Sequence, residues 1–248
     1  MSFLARATSF LGSLHEYAST HGNLRDGNVG FWSPHTSNVD WCETNYVYTQ
    51  YVAEFFNTVT SIPIFLMGVF GVVHGIRNGY RKRFLVPLTT IALIGIGSIA
   101  FHATLRKEGQ AMDELSMIWG ATAMLFSVIE TKRDINRQWL APALLVYLSL
   151  FTAAYLLAPA DSLIFPVFLL SYSFAIIGLL FGARAYYSQI KNATVQRMLV
   201  ISTICFFGSF FLFWLPDKLA CAQVQRFQLH AIFHLLSVRH IGRAARNV

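Results

Sequence analysis

Charge is scarce in this sequence. Asp, Glu, Lys and Arg make up 12% of its 248 residues, about half of what a soluble domain carries, and the mean hydropathy is +0.49. That shortage argues against an ordinary soluble fold. Cysteine is sparse too: Cys42, Cys205 and Cys221 form neither a CxxC pair nor zinc-finger spacing. No internal repeat or low-complexity tract stands out. The N-terminus, "MSFLARATSFLGSLHEYAS", has only brief apolar patches and lacks the continuous run of a signal peptide. Strict polar–apolar alternation is missing, so a membrane β-barrel is not expected. The net charge of +7 does not point to nucleic acid, because the basic residues sit in small clusters between apolar runs, as a membrane protein places them.

What the sequence does have is apolar length. It is 55% hydrophobic and holds 22 Phe. Runs of near-spanning length cover residues 53–76, 84–104, 113–129, 139–158, 163–182 and 198–215. A seventh starts near Phe227 and fades at Arg239, with about twelve largely apolar residues where a span needs about twenty. The expected fold is therefore an all-α integral membrane protein, a seven-transmembrane helix bundle with a truncated seventh helix. Residues 1–30 read as an N-terminal extension, 31–238 as the helical domain and 239–248 as a basic tail. Thirteen of the nineteen Lys and Arg residues fall on one side of this topology. The positive-inside rule puts that side in the cytosol, the N-terminus in the lumen and the C-terminus in the cytosol. Asn192 heads an "NAT" sequon, but on the cytosolic side it is expected to stay unmodified.

Several polar residues fall where they are costly. Ser98 and His102 end the second run, Asp113 starts the third, and His230 and His234 start the seventh. All map to the lumenal half. Ionisable groups inside a membrane cost about 2.5–3.5 kcal/mol by insertion scales, so they usually have a role. Ser98 and His102 are four apart and share a helix face; His230 and His234 share another. Three imidazoles from two helices suit a catalytic zinc with a fourth position open to water. HxxxH alone is a weak signal; SxxxH and an Asp at a third helix strengthen it. Asp113 reads either as the group that moves the water proton or as a partner orienting a ligand histidine. Ser98 reads either as a donor to a developing oxyanion or as a group that orients the water.

A second constellation precedes the first run. Asp40, Glu43 and Asn45 lie within six positions, and Glu54 follows beside Phe55 and Phe56. Closely spaced oxygen side chains suit Ca²⁺, although this is no EF-hand loop. Helix capping and ordinary interfacial carboxylates are the alternative. Cys42 and Cys221 both fall on the lumenal side, where a disulfide is permitted. Cys205 lies inside the sixth run and reads as a packed thiol.

The segments "HTSNVDWCETNYVYTQYVAEFFNTVTS", "GIGSIAFHATLRKEGQAMDELSMIWGATAMLF" and "QLHAIFHLL" strongly resemble the alkaline ceramidases, seven-helix membrane amidohydrolases. A fungal-type (phyto/dihydro)ceramidase is the expected subtype. The resemblance covers residues 31–237 and implies hydrolysis of a ceramide amide to a sphingoid base and a free fatty acid. It implies zinc ligation by His102, His230 and His234, with Ser98 and Asp113 as the polar pair beside the zinc water. It implies a structural or regulatory calcium site of Asp40, Trp41 (through its carbonyl), Glu43, Asn45 and Glu54, and a lumenal Cys42–Cys221 disulfide. The implied partners are a ceramide-type lipid and the bilayer, in the endoplasmic reticulum or Golgi membrane. Two features depart from the family pattern: the stretch from Cys221 to His230 is short, and the last run turns basic early. Two other functions stay open on sequence alone. One is a receptor-like member of the wider set sharing SxxxH, Asp and HxxxH; the other is a structural bundle whose histidines merely pack.

Overall fold

The computed structural model describes residues 29–130, 138–159 and 162–239. Among the described residues all regular structure is helical. Five long helices come first: α1 (Phe55–Arg77), α2 (Lys82–Thr104), α3 (Lys107–Glu130), α4 (Leu140–Leu157) and α5 (Ile164–Tyr187). Then α6 (Ala193–Ser209) runs through a π turn (Phe210–Trp214) into α7 (Leu215–Leu219). Pro216 explains the π turn, since it has no N–H for the carbonyl four residues back and its ring crowds that carbonyl. The chain closes with α8 (Cys221–Val224), a 3₁₀ turn (Gln225–Phe227) and α9 (Leu229–Arg239).

Six helices are long and apolar enough to cross a membrane, the sixth being the combined Ala193–Leu219 segment. Each turns large apolar side chains outward, among them Leu66, Val86, Met112, Leu150, Phe174 and Ile204. A water-soluble monomer rarely exposes so continuous an apolar surface; lipid is the solvent these faces suit. Among the described residues the seventh apolar run gives the 11 residues of α9, which by themselves are too short to span. The six spans overlay the six apolar runs, the fifth and sixth extending up to five residues beyond them. The third helix begins at Lys107, not Asp113. Its first turns, "KEGQAM", are polar enough to escape a hydropathy reading, so Asp113 sits well inside the helix rather than at its start.

Small residues set the helix spacing. A Cβ at Gly95 would lie 2.2 Å from the Phe65 nitrogen, and one at Gly97 would lie 2.6 Å from the Asp113 nitrogen. The two glycines therefore let α2 approach α1 on one side and α3 on the other, backbone to backbone. The hydrophobic core gathers at one end of the bundle, where Val39, Trp41, Tyr46 and Ala53 of the N-terminal segment meet Phe101, Leu105 and Leu115. Backbone bonds fix that segment's register: Thr36 and Ser37 N–H donate to the Leu105 carbonyl at 3.1 and 3.1 Å, and Ala53 N–H to the Ala103 carbonyl at 2.9 Å. The Cys42–Cys221 disulfide ties the segment to α8, with Cα atoms 5.4 Å apart.

At the opposite end of α2 and α3, Arg83 pairs with Glu130 at 3.3 Å. The basic clusters at 132–137 and 243–246 and the extension up to residue 28 lie outside the described residues.

Candidate metal centre

Each part of the site has a local cause. Glu54 is the N-cap residue of α1, and its N–H donates to the His102 carbonyl at 2.9 Å. That bond sets the start of α1 against the last turn of α2, where His102 lies. Gly97 then brings α3 close enough to put the Asp113 backbone beside the residue preceding Ser98. The last helix enters through Gln228, whose φ of 51° turns the chain before α9. Asp217, just past the π turn, accepts the His230 N–H at 3.3 Å and the Cys42 N–H at 3.1 Å. A carboxylate at a helix N-terminus is favourable, and here it anchors the first turn of α9 beside the disulfide.

The result is a group of three facing imidazoles. Ring centroids of His102, His230 and His234 lie 5.2 Å (102–230), 5.1 Å (102–234) and 4.5 Å (230–234) apart. One ligand atom from each falls within 4.8 Å of the other two, and all three residues are buried. Among the described residues this is the group of His, Cys, Asp and Glu side chains close enough to hold a metal ion. The hydrogen bonding fits the same use. His102 Nδ1 contacts Glu54 Oε2, while its Nε2 is buried without a hydrogen-bond partner. His234 Nδ1 contacts Thr60 Oγ1 at 3.1 Å and Ser61 Oγ at 3.3 Å. His230 also keeps a buried, unpartnered Nδ1, and its ring stacks on Trp41 at 3.6 Å. Ligand histidines usually hold their second nitrogen on a carboxylate or similar group in this way.

Ser98 is buried, with its hydroxyl 2.8 Å from Ser61. Asp113 is half-buried. The next residue, Glu114, serves packing instead: Gln110 Nε2 donates to its Oε1 at 2.8 Å and the Tyr155 hydroxyl to its Oε2 at 2.7 Å. Two adjacent acids thus divide, one tying α3 to α4 and the other left open.

The acidic segment wraps the N-terminus of α1. Glu43 accepts from Phe56 N–H at 2.7 Å and Asn57 N–H at 2.9 Å. Glu54 Oε1 accepts from Trp41 N–H at 2.8 Å and Oε2 from Asn57 Nδ2 at 3.1 Å. Asn45 Nδ2 reaches both Asp40 oxygens at 3.3 Å. Burial raises the Glu43 and Glu54 carboxyls to about 7. Neighbouring acids add to this, Glu54 acting on Glu43 and Asp217 on Glu54. The segment thus gathers the predicted oxygen side chains in one place, and Glu54 also touches the histidine cluster.

The sequence reading missed Ser61, Thr60 and Asp217. A charge closing an apolar run, as in "FFLFWLPDKLA", was a usable signal for Asp217. The two hydroxyls gave none.

Comparison with known proteins decides the family. A model of the ceramidase family matches residues 33–241. The chain belongs to the alkaline ceramidase family. Mouse alkaline ceramidase 3 is 32% identical over 224 residues, covering 84% of this chain and 81% of that protein. An alkaline ceramidase of Arabidopsis thaliana is 27% identical over 223 residues, covering 86% and 82%. One from Saccharomyces cerevisiae is 38% identical over 100 residues, covering 40% and 32%. The ceramidase relatives thus come from an animal, a plant and a yeast. They do not single out a fungal subtype, and they do not favour the receptor-like alternative.

Proposed function

We propose that the protein is a zinc-dependent ceramidase that hydrolyses the N-acyl amide of a ceramide within the membrane. The observation that carries this reading is the buried trio His102, His230 and His234, to which Ser98 is joined through Ser61, in a ceramidase-family chain. Three facing imidazoles, two of them (His102 and His230) with a buried nitrogen that has no hydrogen-bond partner, fit zinc, which favours nitrogen ligands and a four-coordinate site. When bound, zinc supplies Lewis-acid polarisation and makes water a nucleophile near neutral pH.

The chain's own residues do the rest. Asp113 takes a proton from the attacking water as its oxygen bonds to the amide carbon. It then returns that proton to the amide nitrogen as the C–N bond breaks. The products are a fatty acid and a sphingoid base. Glu54 holds His102 by Nδ1, and Thr60 and Ser61 hold His234 by Nδ1, which would leave Nε2 of both rings free to hold the zinc. The outward apolar faces suit a protein that meets its lipid substrate in the bilayer.

The finer assignments follow from the same reading. Asp40, Trp41, Glu43, Asn45 and Glu54 form a calcium site, supported by buried carboxyls that a divalent cation would keep ionised. The Cys42–Cys221 disulfide supports an oxidising, lumenal setting for this end of the bundle. That fits a multi-pass protein of the endoplasmic reticulum or Golgi membrane with a lumenal N-terminus. Residues 31–238 act as one catalytic domain between a lumenal extension (1–30) and a cytosolic tail (239–248). The test is deacylation of ceramide by the purified chain in detergent, with fatty acid and sphingoid base quantified. Turnover must stop on zinc chelation and return with zinc. It must fall by about 10²–10⁴ in D113N, which loses the proton carrier. Turnover that survives exhaustive chelation refutes the reading.

A further inference from the structure

Ser61 lies in the middle of a chain of polar contacts that joins the last helix to the reaction centre. It is fully buried in α1. Its Oγ lies 2.7 Å from the Asn57 carbonyl, 2.8 Å from Ser98 Oγ and 3.3 Å from His234 Nδ1. A hydroxyl has one proton to give, so the contacts cannot all run the same way. The Asn57 contact is decisive. Two oxygens at that distance need a proton between them, and a carbonyl has none, so the proton belongs to Ser61. Thr60 is fixed in the same way, with its Oγ1 2.8 Å from the Phe56 carbonyl.

The remaining directions follow. With their protons committed to backbone, Ser61 and Thr60 only accept from His234, so Nδ1 carries the hydrogen and Nε2 is free to ligate. Ser61 likewise only accepts from Ser98. The Ser98 proton is then spent on Ser61, and Ser98 presents lone pairs to the reaction centre.

We infer that Ser61 is a positioning residue that fixes the direction of this chain, so that Ser98 accepts a hydrogen bond from the attacking water and does not donate to the oxyanion. The inference rests on the metal-centre reading above and chooses between the two Ser98 roles that the sequence left open. Ser98 would hold one water O–H while Asp113 takes the other, which aims an oxygen lone pair at the amide carbon.

The probe is a ceramide analogue with a phosphinate in place of the amide, an anion that mimics the oxyanion. Its dissociation constant is measured on the zinc-loaded protein for wild type, S98A, S61A, S61T and the S61A/S98A double variant, with zinc content determined for each. An oxyanion donor at Ser98 would make S98A weaken binding by about 10²-fold. The inference instead expects S98A to bind the phosphinate within about twofold of wild type, a change of less than half a kcal/mol. It expects S61A to bind it more tightly, because the freed Ser98 proton can turn to the anion. That gain should vanish in the double variant. S61T should match wild type, since a helical threonine can give its proton to the same carbonyl, as Thr58 does to Glu54 at 2.6 Å. A loss of tenfold or more in S98A with zinc still bound overturns the direction and leaves the metal centre standing. A wild-type chain that takes up no zinc removes both.

Discussion

Replacing Glu54 with Gln should weaken zinc binding while leaving the shape of the side chain intact. Glu54 receives three donors: Trp41 N–H at 2.8 Å, Asn57 Nδ2 at 3.1 Å, and His102 through Nδ1. Both carboxylate oxygens are in use. Glutamine offers one oxygen and one NH₂, so at least one of the three donors must face another donor. A buried donor left unsatisfied costs about 1–3 kcal/mol. The alternative is worse for the metal. If His102 turns Nδ1 into an acceptor for the new NH₂, its hydrogen moves to Nε2, the atom now buried without a partner. Nε2 then cannot ligate. Loss of a partner behind a metal ligand typically costs 10–100-fold in affinity, or about 1.4–2.7 kcal/mol. Chelator competition on detergent-purified protein measures this directly for wild type, E54Q and E54D. E54D, which keeps two acceptors, should fall between the other two. Equal zinc affinity in E54Q and wild type would falsify the carboxylate–histidine argument.

Calcium should stabilise the chain strongly above pH 7 and weakly below pH 5. Glu43 and Glu54 are raised from 4.5 to about 7 by burial. In the metal-free protein their contribution is therefore fully present below pH 4.5 and lost as pH rises through 7. Ionising them opens the need for a cation, so melting curves with and without calcium should diverge between pH 5 and 8; parallel curves contradict the site. G97A should lower both stability and turnover, because its Cβ would meet the Asp113 nitrogen at 2.6 Å, an overpacking worth about 1–3 kcal/mol. G208A is the control, with nothing within 4 Å of its Cβ, and should leave stability close to wild type in thermal unfolding. Reducing the Cys42–Cys221 bridge, which closes 179 residues, should cost about 2–5 kcal/mol. A lower melting temperature in reductant, matched by C42S/C221S, checks this.

The fold was legible where hydropathy alone decides it. Six runs became six helices, because an apolar stretch of sufficient length leaves the backbone little choice in lipid. Hydropathy failed where polar residues continue a helix, as at "KEGQAM", and there the start of α3 was missed by six residues. The histidine cluster was legible because imidazoles four apart in an apolar run carry a cost that asks for a reason. Its supports were not. Ser61 and Thr60 can satisfy themselves on their own helix carbonyls, so a hydroxyl in a membrane helix raises no alarm. Glu54 was singled out as costly, but its contact with His102 depends on α1 and α2 meeting end to end. No local pattern encodes that meeting.

X-ray absorption at the zinc edge, on the purified chain in detergent, goes to the centre of the account. It should find one zinc per chain with three imidazole nitrogens at about 2.0–2.1 Å, and it should lose that signature in H102A and in H234A. A chain without zinc, or a zinc whose coordination is unchanged when His102 is removed, would contradict it.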